Sequence, residues 1–227
     1  MAGPPPFVIA LDGPAASGKS TVGPAVAERM GYFYLDTGVL YRAITLAAIS
    51  HGVALDDGEA IAHLARTVCL EVHPPTRDDG RQVDVLMDGQ DVSLEIRQPA
   101  VDRGVSAASA HQSVRAALGA PQRGAIRAPG TILAGRDIGT VIVPEAPLKV
   151  WLTASVEERA RRRSAQTGED LAAVLGAMRQ RDHVDGTRAV APMKPAVDAV
   201  EIVTDGLAPE QIVEEIVALA RSRGAPG

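Results

Sequence analysis

Gly13 to Ser20 read GPAASGKS, which fits G-x-x-x-x-G-K-[ST] without a mismatch. A run framed by glycines in this way can wrap successive backbone N–H groups around phosphate oxygens, because glycine permits the dihedrals the wrap requires. Lys19 would reach the β- and γ-phosphates of a nucleoside triphosphate, and the Ser20 hydroxyl would bind Mg²⁺. A helix beginning there would aim its N-terminus at the same anion. The expected ATP contacts are therefore Gly13, Pro14, Ala15, Ala16, Ser17, Gly18, Lys19, Ser20 and Thr21. GTPases, motor ATPases and small-molecule kinases all use such a loop, so the reaction has to be read from the remainder of the chain.

That remainder carries cations in clusters. Arg42 follows Asp36 and Thr37 at the start of a helical stretch, and Arg136 and Asp137 follow the apolar run TILA after a single glycine. Arg159, Arg161, Arg162 and Arg163 follow Glu157 and Glu158, with Arg159 and Arg163 on one helix face. Arg181, Asp185 and Arg188 fall at the end of a predicted helix and in the turn after it. Phosphoryl transfer between two phosphate-bearing substrates needs such convergent cations, because the substrates repel and the transition state spreads charge over the transferred group. Each cluster also has a plain structural alternative: a surface arginine, a solvated charge run or a helix-terminal salt bridge. His51, His63, His73, His111 and His183 have no metal-ligand spacing and read as ordinary surface or core residues.

The elements that must position these groups alternate. Phe7–Asp12, Tyr32–Asp36, Thr131–Ala134, Leu148–Thr153 and Ala199–Thr204 are short runs of strand formers. Between and after them, Ser20–Met30, Gly38–His51, Val105–Arg127, Val156–Arg163, Asp170–Arg181 and Pro209–Arg223 read as helices. The long helix is expected to be interrupted near Gly119-Ala120-Pro121, and Pro24 should kink the first helix. Val68–His73, Gln82–Met87 and Asp91–Ser93 alternate apolar and polar residues around Asp79-Gly80 and Asp88-Gly89, which predicts a small antiparallel meander. Strands alternating with helices imply an α/β fold with a parallel sheet covered on both faces.

The 227 residues, 46% of them hydrophobic, suffice for one compact domain with a subdomain inserted. A net charge of −5 provides no broad footprint for nucleic acid. Cys69 is the sole cysteine, so no intramolecular disulfide forms, which fits a reducing cytosol. The start MAGPPP has neither the basic nor the apolar region of a signal peptide. No apolar run approaches the roughly 20 residues of a membrane span. The expectation is a cytoplasmic protein with mobile tails at Gly3–Pro6 and Gly224–Gly227.

LDTGVLYR at Leu35–Arg42, GRDIGTV at Gly135–Val141 and RDHVDGTRAVAPMKP at Arg181–Pro195, in this order after the phosphate loop, resemble bacterial cytidylate kinase, of the nucleoside monophosphate kinase group. The likeness runs from about Val8 to Val217. It implies a five-stranded parallel sheet flanked by helices, with residues 1–227 forming one P-loop kinase domain. Within it, 36–107 would be an inserted acceptor-binding subdomain and 155–170 a lid. It also implies ATP as donor, Mg²⁺ as cofactor, and CMP or dCMP as acceptor; a monomer is expected, although the sequence itself does not give the oligomeric state. By this resemblance Thr37, Arg42, Arg136, Arg181, Asp185 and Arg188 hold the acceptor's phosphate and ribose, and Ser106, Arg115 and Asp137 surround its base. Lys19, Arg136, Arg159, Arg163 and Arg188 supply the catalytic cations, with Arg161 a bystander. Asp36 would orient a Mg²⁺-bound water. Rival readings are a kinase for UMP, AMP or shikimate, a GTPase, and a non-catalytic nucleotide-binding module. The GTPase would need a guanine-reading N-K-x-D segment, and the sequence has none.

Overall fold

The structure, a computed structural model, describes residues 5–188 and 191–226. Of the expected mobile tails, Gly3, Pro4 and Gly227 lie outside the described residues, as do Ala189 and Val190 of the Arg181–Pro195 segment.

In chain order the elements are β1 (Phe7–Asp12), α1 (Lys19–Met30), β2 (Phe33–Asp36), α2 (Gly38–Ser50), α3 (Gly58–Thr67), β3 (Leu70–His73), β4 (Asp84–Met87), β5 (Gln90–Asp91), α4 (Pro99–Ala110), α5 (Gln112–Gly124), β6 (Gly130–Gly135), β7 (Leu148–Thr153), α6 (Val156–Thr167), α7 (Leu171–Thr187), β8 (Val200–Val203) and α8 (Pro209–Ser222). The chain divides into two compact units. One comprises the residues up to Tyr34 and those from Ile126 onward, the other Leu35–Ala125.

The first unit is built on a five-stranded sheet of order β2-β6-β1-β7-β8, and β1 pairs in parallel with both β6 and β7. Every residue of β1 is buried, as a central parallel strand requires. Its alternate residues Phe7, Ile9 and Leu11 pack with Val22 and Val26 of α1 and with Ile212, Val213 and Ile216 of α8. Helix α1 runs through Pro24 and is capped by Gly31 in the left-handed conformation.

The second unit has its own core, made by Leu40 and Ile44 of α2, Ile61 and Ala65 of α3, Val105 of α4 and Leu118 of α5. The expected meander is present as the antiparallel sheet β3-β4-β5. Asp88 and Gly89, with φ of 51° and 79°, make the tight turn between β4 and β5. Within this sheet the buried Arg81 guanidinium is gripped by Asp79, Asp84 and Asp91.

Two expectations need correction. The stretch Val105–Arg127 is not one helix interrupted near Pro121; α5 runs through Pro121, and the break falls at His111. His111 takes an extended backbone (ψ 127°) while its Nε2 lies 2.9 Å from the Leu55 carbonyl oxygen. That tertiary contact overrides local helix propensity. Helix α7 also continues to Thr187, so Asp185 lies within the helix rather than in a turn after it. Helix α3, for which the sequence suggested no element, begins where Asp57 accepts from the Ala60 N–H, and it buries Ile61, Ala62 and Ala65.

Gly13 is the point where β1 must turn into the phosphate loop. Its φ is +152°, and a Cβ built there would lie 2.0 Å from the Leu152 carbonyl oxygen of β7. We predict that Gly13→Ala lowers stability by about 3 kcal/mol or more, since neither the dihedral nor the backbone contact can relax. Urea denaturation measures this, and a loss under 1 kcal/mol would show that the loop tolerates a side chain.

Candidate active site

The phosphate loop is shaped by its own backbone. Gly18 (φ 103°) precedes α1, Ala16 also takes a positive φ of 58°, and the Ser17 side chain is fully buried. Lys19 Nζ folds back into the loop, donating to the carbonyl oxygens of Gly13 and Pro14 at 2.7 Å each. This keeps a cation at the mouth of the loop, while Ser20 and Thr21 stand exposed on the first turn of α1. The first N–H groups of a helix have no intrahelical partner, so this turn offers donors to an anion.

The loop is joined to the turn that carries Arg136 and Asp137. Asp12 ends β1, and its two carboxylate oxygens accept from the backbone N–H groups of Ile138 (2.8 Å) and Gly139 (2.7 Å). These open a π-helical turn, Ile138–Ile142, for which Asp137 is the N-terminal flanking residue. Burial pushes the Asp12 carboxyl up to about 6; the two N–H donors oppose this, the neighbouring Asp137 adds to it, and Lys19 offsets part of it. Asp137 is itself buried.

The arginines of α6 take different sets of partners, with Glu158 shared by Arg161 and Arg162. Arg159 is buried and donates from Nη1 to the Ala15 carbonyl of the phosphate loop (3.3 Å), from Nε to the Ala154 carbonyl (3.0 Å) and from Nη2 to Asp182 (2.5 Å). Arg162 donates to the hydroxyl and carbonyl oxygens of Thr204, which fastens α6 to the end of β8. Arg161 pairs with Glu158 at the surface. Arg163 is exposed, and no bond joins its guanidinium to the phosphate loop among the described residues. In α7's last turns, Asp185 pairs with Arg136 and lies 3.5 Å from Arg188, which follows the helix, while Arg181 is exposed. Thus the first unit brings Arg136, Asp185 and Arg188 together, and separately brings Arg159 to the phosphate loop.

In the second unit, Asp36 Oδ1 accepts from the Gly38 N–H at 2.9 Å, and the buried Thr37 flanks the start of α2. Arg42 donates to the Ile96 carbonyl and pairs with Asp102 at 2.6 Å. Ser106 and Arg115, expected on one helix, lie on α4 and α5 respectively, because the chain breaks at His111. They are still linked: Arg115 donates to the Ser109 carbonyl, and the Ser109 hydroxyl donates to the Ser106 carbonyl. The buried Arg115 guanidinium also lies 5.4 Å from the centre of the Tyr41 ring.

Asp12 and Asp182 escaped the sequence reading. Each had a faint signal: a carboxylate closing the otherwise apolar strand FVIALD, and a second acidic residue one helical turn before Asp185. Asp12 also allows a direct test. Its carboxyl binds a proton more tightly in the folded protein than at the ordinary value of 3.8. Its stabilising share is therefore complete below pH 3.8 and lost as pH rises through about 6. The difference corresponds to about 3 kcal/mol. We predict that the unfolding free energy of wild type falls relative to Asp12→Asn between pH 4 and 6 and runs parallel to it above. Denaturant titrations across pH measure this, and a constant difference throughout would mean that Asp12 ionises normally.

Comparison with known proteins is consistent with the geometry. A family model described as cytidylate kinase matches residues 9–222. A protein named cytidylate kinase from Herpetosiphon aurantiacus is 46% identical over 219 residues, covering 94% of each chain. Another of that name from Rhodococcus opacus is 45% identical over 227 residues, covering 97% of each. The solved structure of an uncharacterized protein from Eubacterium ventriosum shares the fold at a TM-score of 0.50 and 11% identity, covering 95% of this chain and 99% of that one. With a phosphate loop bonded through Asp12 to the Arg136–Asp137 turn, and with near-full-length likeness to these relatives, the chain belongs to the cytidylate kinase family.

Proposed function

We propose that this protein transfers the γ-phosphoryl group of ATP to CMP and dCMP, giving CDP or dCDP and ADP, and that it works as a cytoplasmic monomer. No helix among the described residues is long and apolar enough to cross a membrane. The observation that carries the reading is the Asp12 bridge, which holds the phosphate loop beside the turn bearing Arg136 and Asp137. In an α/β sheet of this kind, ligands bind beyond the carboxyl ends of the strands, and both segments leave such ends.

In the proposed reaction an oxygen of the acceptor phosphate forms a bond to the γ-phosphorus as the bond to the β–γ bridging oxygen breaks, and ADP leaves. Backbone N–H groups of Gly13–Thr21 and the Lys19 ammonium hold the β- and γ-phosphates. Arg159 adds positive charge from the side of Ala15, and Arg163 joins it from the lid. Arg136 and Arg188 neutralise the acceptor phosphate, and Arg181 and Asp185 orient the ribose. To the second unit we assign the acceptor contacts Thr37, Arg42, Ser106 and Arg115. Mg²⁺ would be held by Ser20 Oγ, an oxygen donor of the kind this ion takes, on the exposed first turn of α1. When bound, it offsets charge on the β- and γ-phosphate oxygens.

Two experiments test this. Lys19→Met should lower kcat with ATP and CMP by at least about a thousandfold while thermal unfolding stays close to wild type, because a lost cation at the transferring group costs several kcal/mol of barrier. Near-normal turnover would remove the phosphate loop from the mechanism. The second experiment concerns the base. A carboxylate at Asp137 accepts from cytosine N4 and repels uracil O4, whereas an amide can donate to O4. The ratio of kcat/KM for CMP and UMP should fall roughly tenfold to a hundredfold in Asp137→Asn. If both substrates lose activity equally, Asp137 serves the metal or the fold instead of reading the base.

A further inference from the structure

Helix α7 carries two carboxylates one turn apart, Asp182 and Asp185, and they engage different partners. Residues at this spacing share a helix face. Asp182 Oδ2 lies 2.5 Å from Arg159 Nη2, and Arg159 reaches on to the Ala15 carbonyl of the phosphate loop. Asp185 pairs with Arg136 and lies close to Arg188. One turn of one helix thus joins the loop cation to the pair of arginines assigned to the acceptor phosphate.

The Arg159 contact has the character of a tether. Only 5% of the Arg159 side chain is exposed, so its charge needs a partner to stay buried. Asp182 is its single carboxylate partner among the described residues; the other contacts are main-chain oxygens. The pair uses one carboxylate oxygen. The second, Asp182 Oδ1, is buried and accepts no hydrogen bond among the described residues. A one-oxygen contact fixes a guanidinium less firmly than a two-toothed fork. It can hold the side chain in reach of the loop without competing strongly with a phosphate for the remaining N–H groups.

We propose that Asp182 is a positioning residue for phosphoryl transfer: it holds the Arg159 guanidinium against the phosphate loop from the same helix turn whose Asp185 engages Arg136 and Arg188. This rests on the reading above that Arg159 contacts the ATP phosphates. A residue that merely braces α7 would loosen Asp185 as well, and would therefore raise the KM for CMP. A residue that aims Arg159 lowers kcat and leaves that KM in place.

A double-mutant cycle on the full-length protein tests the proposal, with steady-state kinetics on ATP and CMP and thermal unfolding of each variant. Asp182→Asn should lower kcat about ten- to a hundredfold, the scale of a misplaced catalytic group, with the KM for CMP within about twofold of wild type. In the Arg159→Met background the same change should cost less than about threefold, because its target is gone. Asp182→Ala replaces the asparagine variant if the latter does not accumulate folded. Equal costs in both backgrounds, or a raised KM for CMP with kcat intact, would overturn the proposal and leave the role of Arg159 standing. Wild-type turnover in Arg159→Met would remove Arg159 from the phosphates, and the proposal with it.

Discussion

The structure depends on a backbone contact at the end of its central strand. Gly13 lies against the Leu152 carbonyl oxygen so closely that no side chain fits between them. The phosphate loop is therefore seated on β7 as well as on β1, and its dihedrals are set by the sheet. The next residue back, Asp12, spends both carboxylate oxygens on the turn at Ile138 and Gly139. Two adjacent residues thus locate the donor loop and the Arg136–Asp137 turn against three parallel strands, β1, β6 and β7. A buried carboxylate is expensive to hold ionised, and the raised proton affinity of Asp12 is the sign of that cost.

The arginines follow a common rule. Arg159 rests on Asp182, Arg136 on Asp185, and in the other unit Arg42 rests on Asp102. A guanidinium removed from water without a partner would cost several kcal/mol, so each is matched within its own unit. Under the proposed function, a substrate phosphate meeting one of these arginines would have to exchange with, or add to, an existing carboxylate contact. Such contacts would raise kcat, instead of merely tightening binding, to the extent that they strengthen as charge spreads over the transferred group in the transition state. The neighbouring arginines illustrate how position divides labour: Arg162 is committed to Thr204 and Glu158 and Arg161 to Glu158 alone, although all lie within one short run.

The second unit shows a structural use of the same chemistry. Arg81 is enclosed by three aspartates, which together hold its proton far more tightly than usual. This cross-links a three-stranded sheet too small to have a large apolar core of its own. The adjoining helices α2, α3, α4 and α5 supply the apolar packing instead.

What the sequence alone determined was local or repetitive. The phosphate loop was legible because its glycines, lysine and serine act within eight residues through backbone geometry. The alternating sheet was legible because burial on both faces makes its central strand β1 a nearly continuous apolar run, and the Asp88-Gly89 turn because its positive dihedrals select those residue types. Tertiary structure decided what depends on partners distant in sequence. Asp12 meets a turn 126 residues away; Arg159 meets Asp182 23 residues away. The separation of Ser106 from Arg115 onto two helices follows from His111 bonding to Leu55, 56 residues earlier. Such contacts leave no period and no turn signal in the chain, because a side-chain pair is specified only by the fold that brings its two ends together.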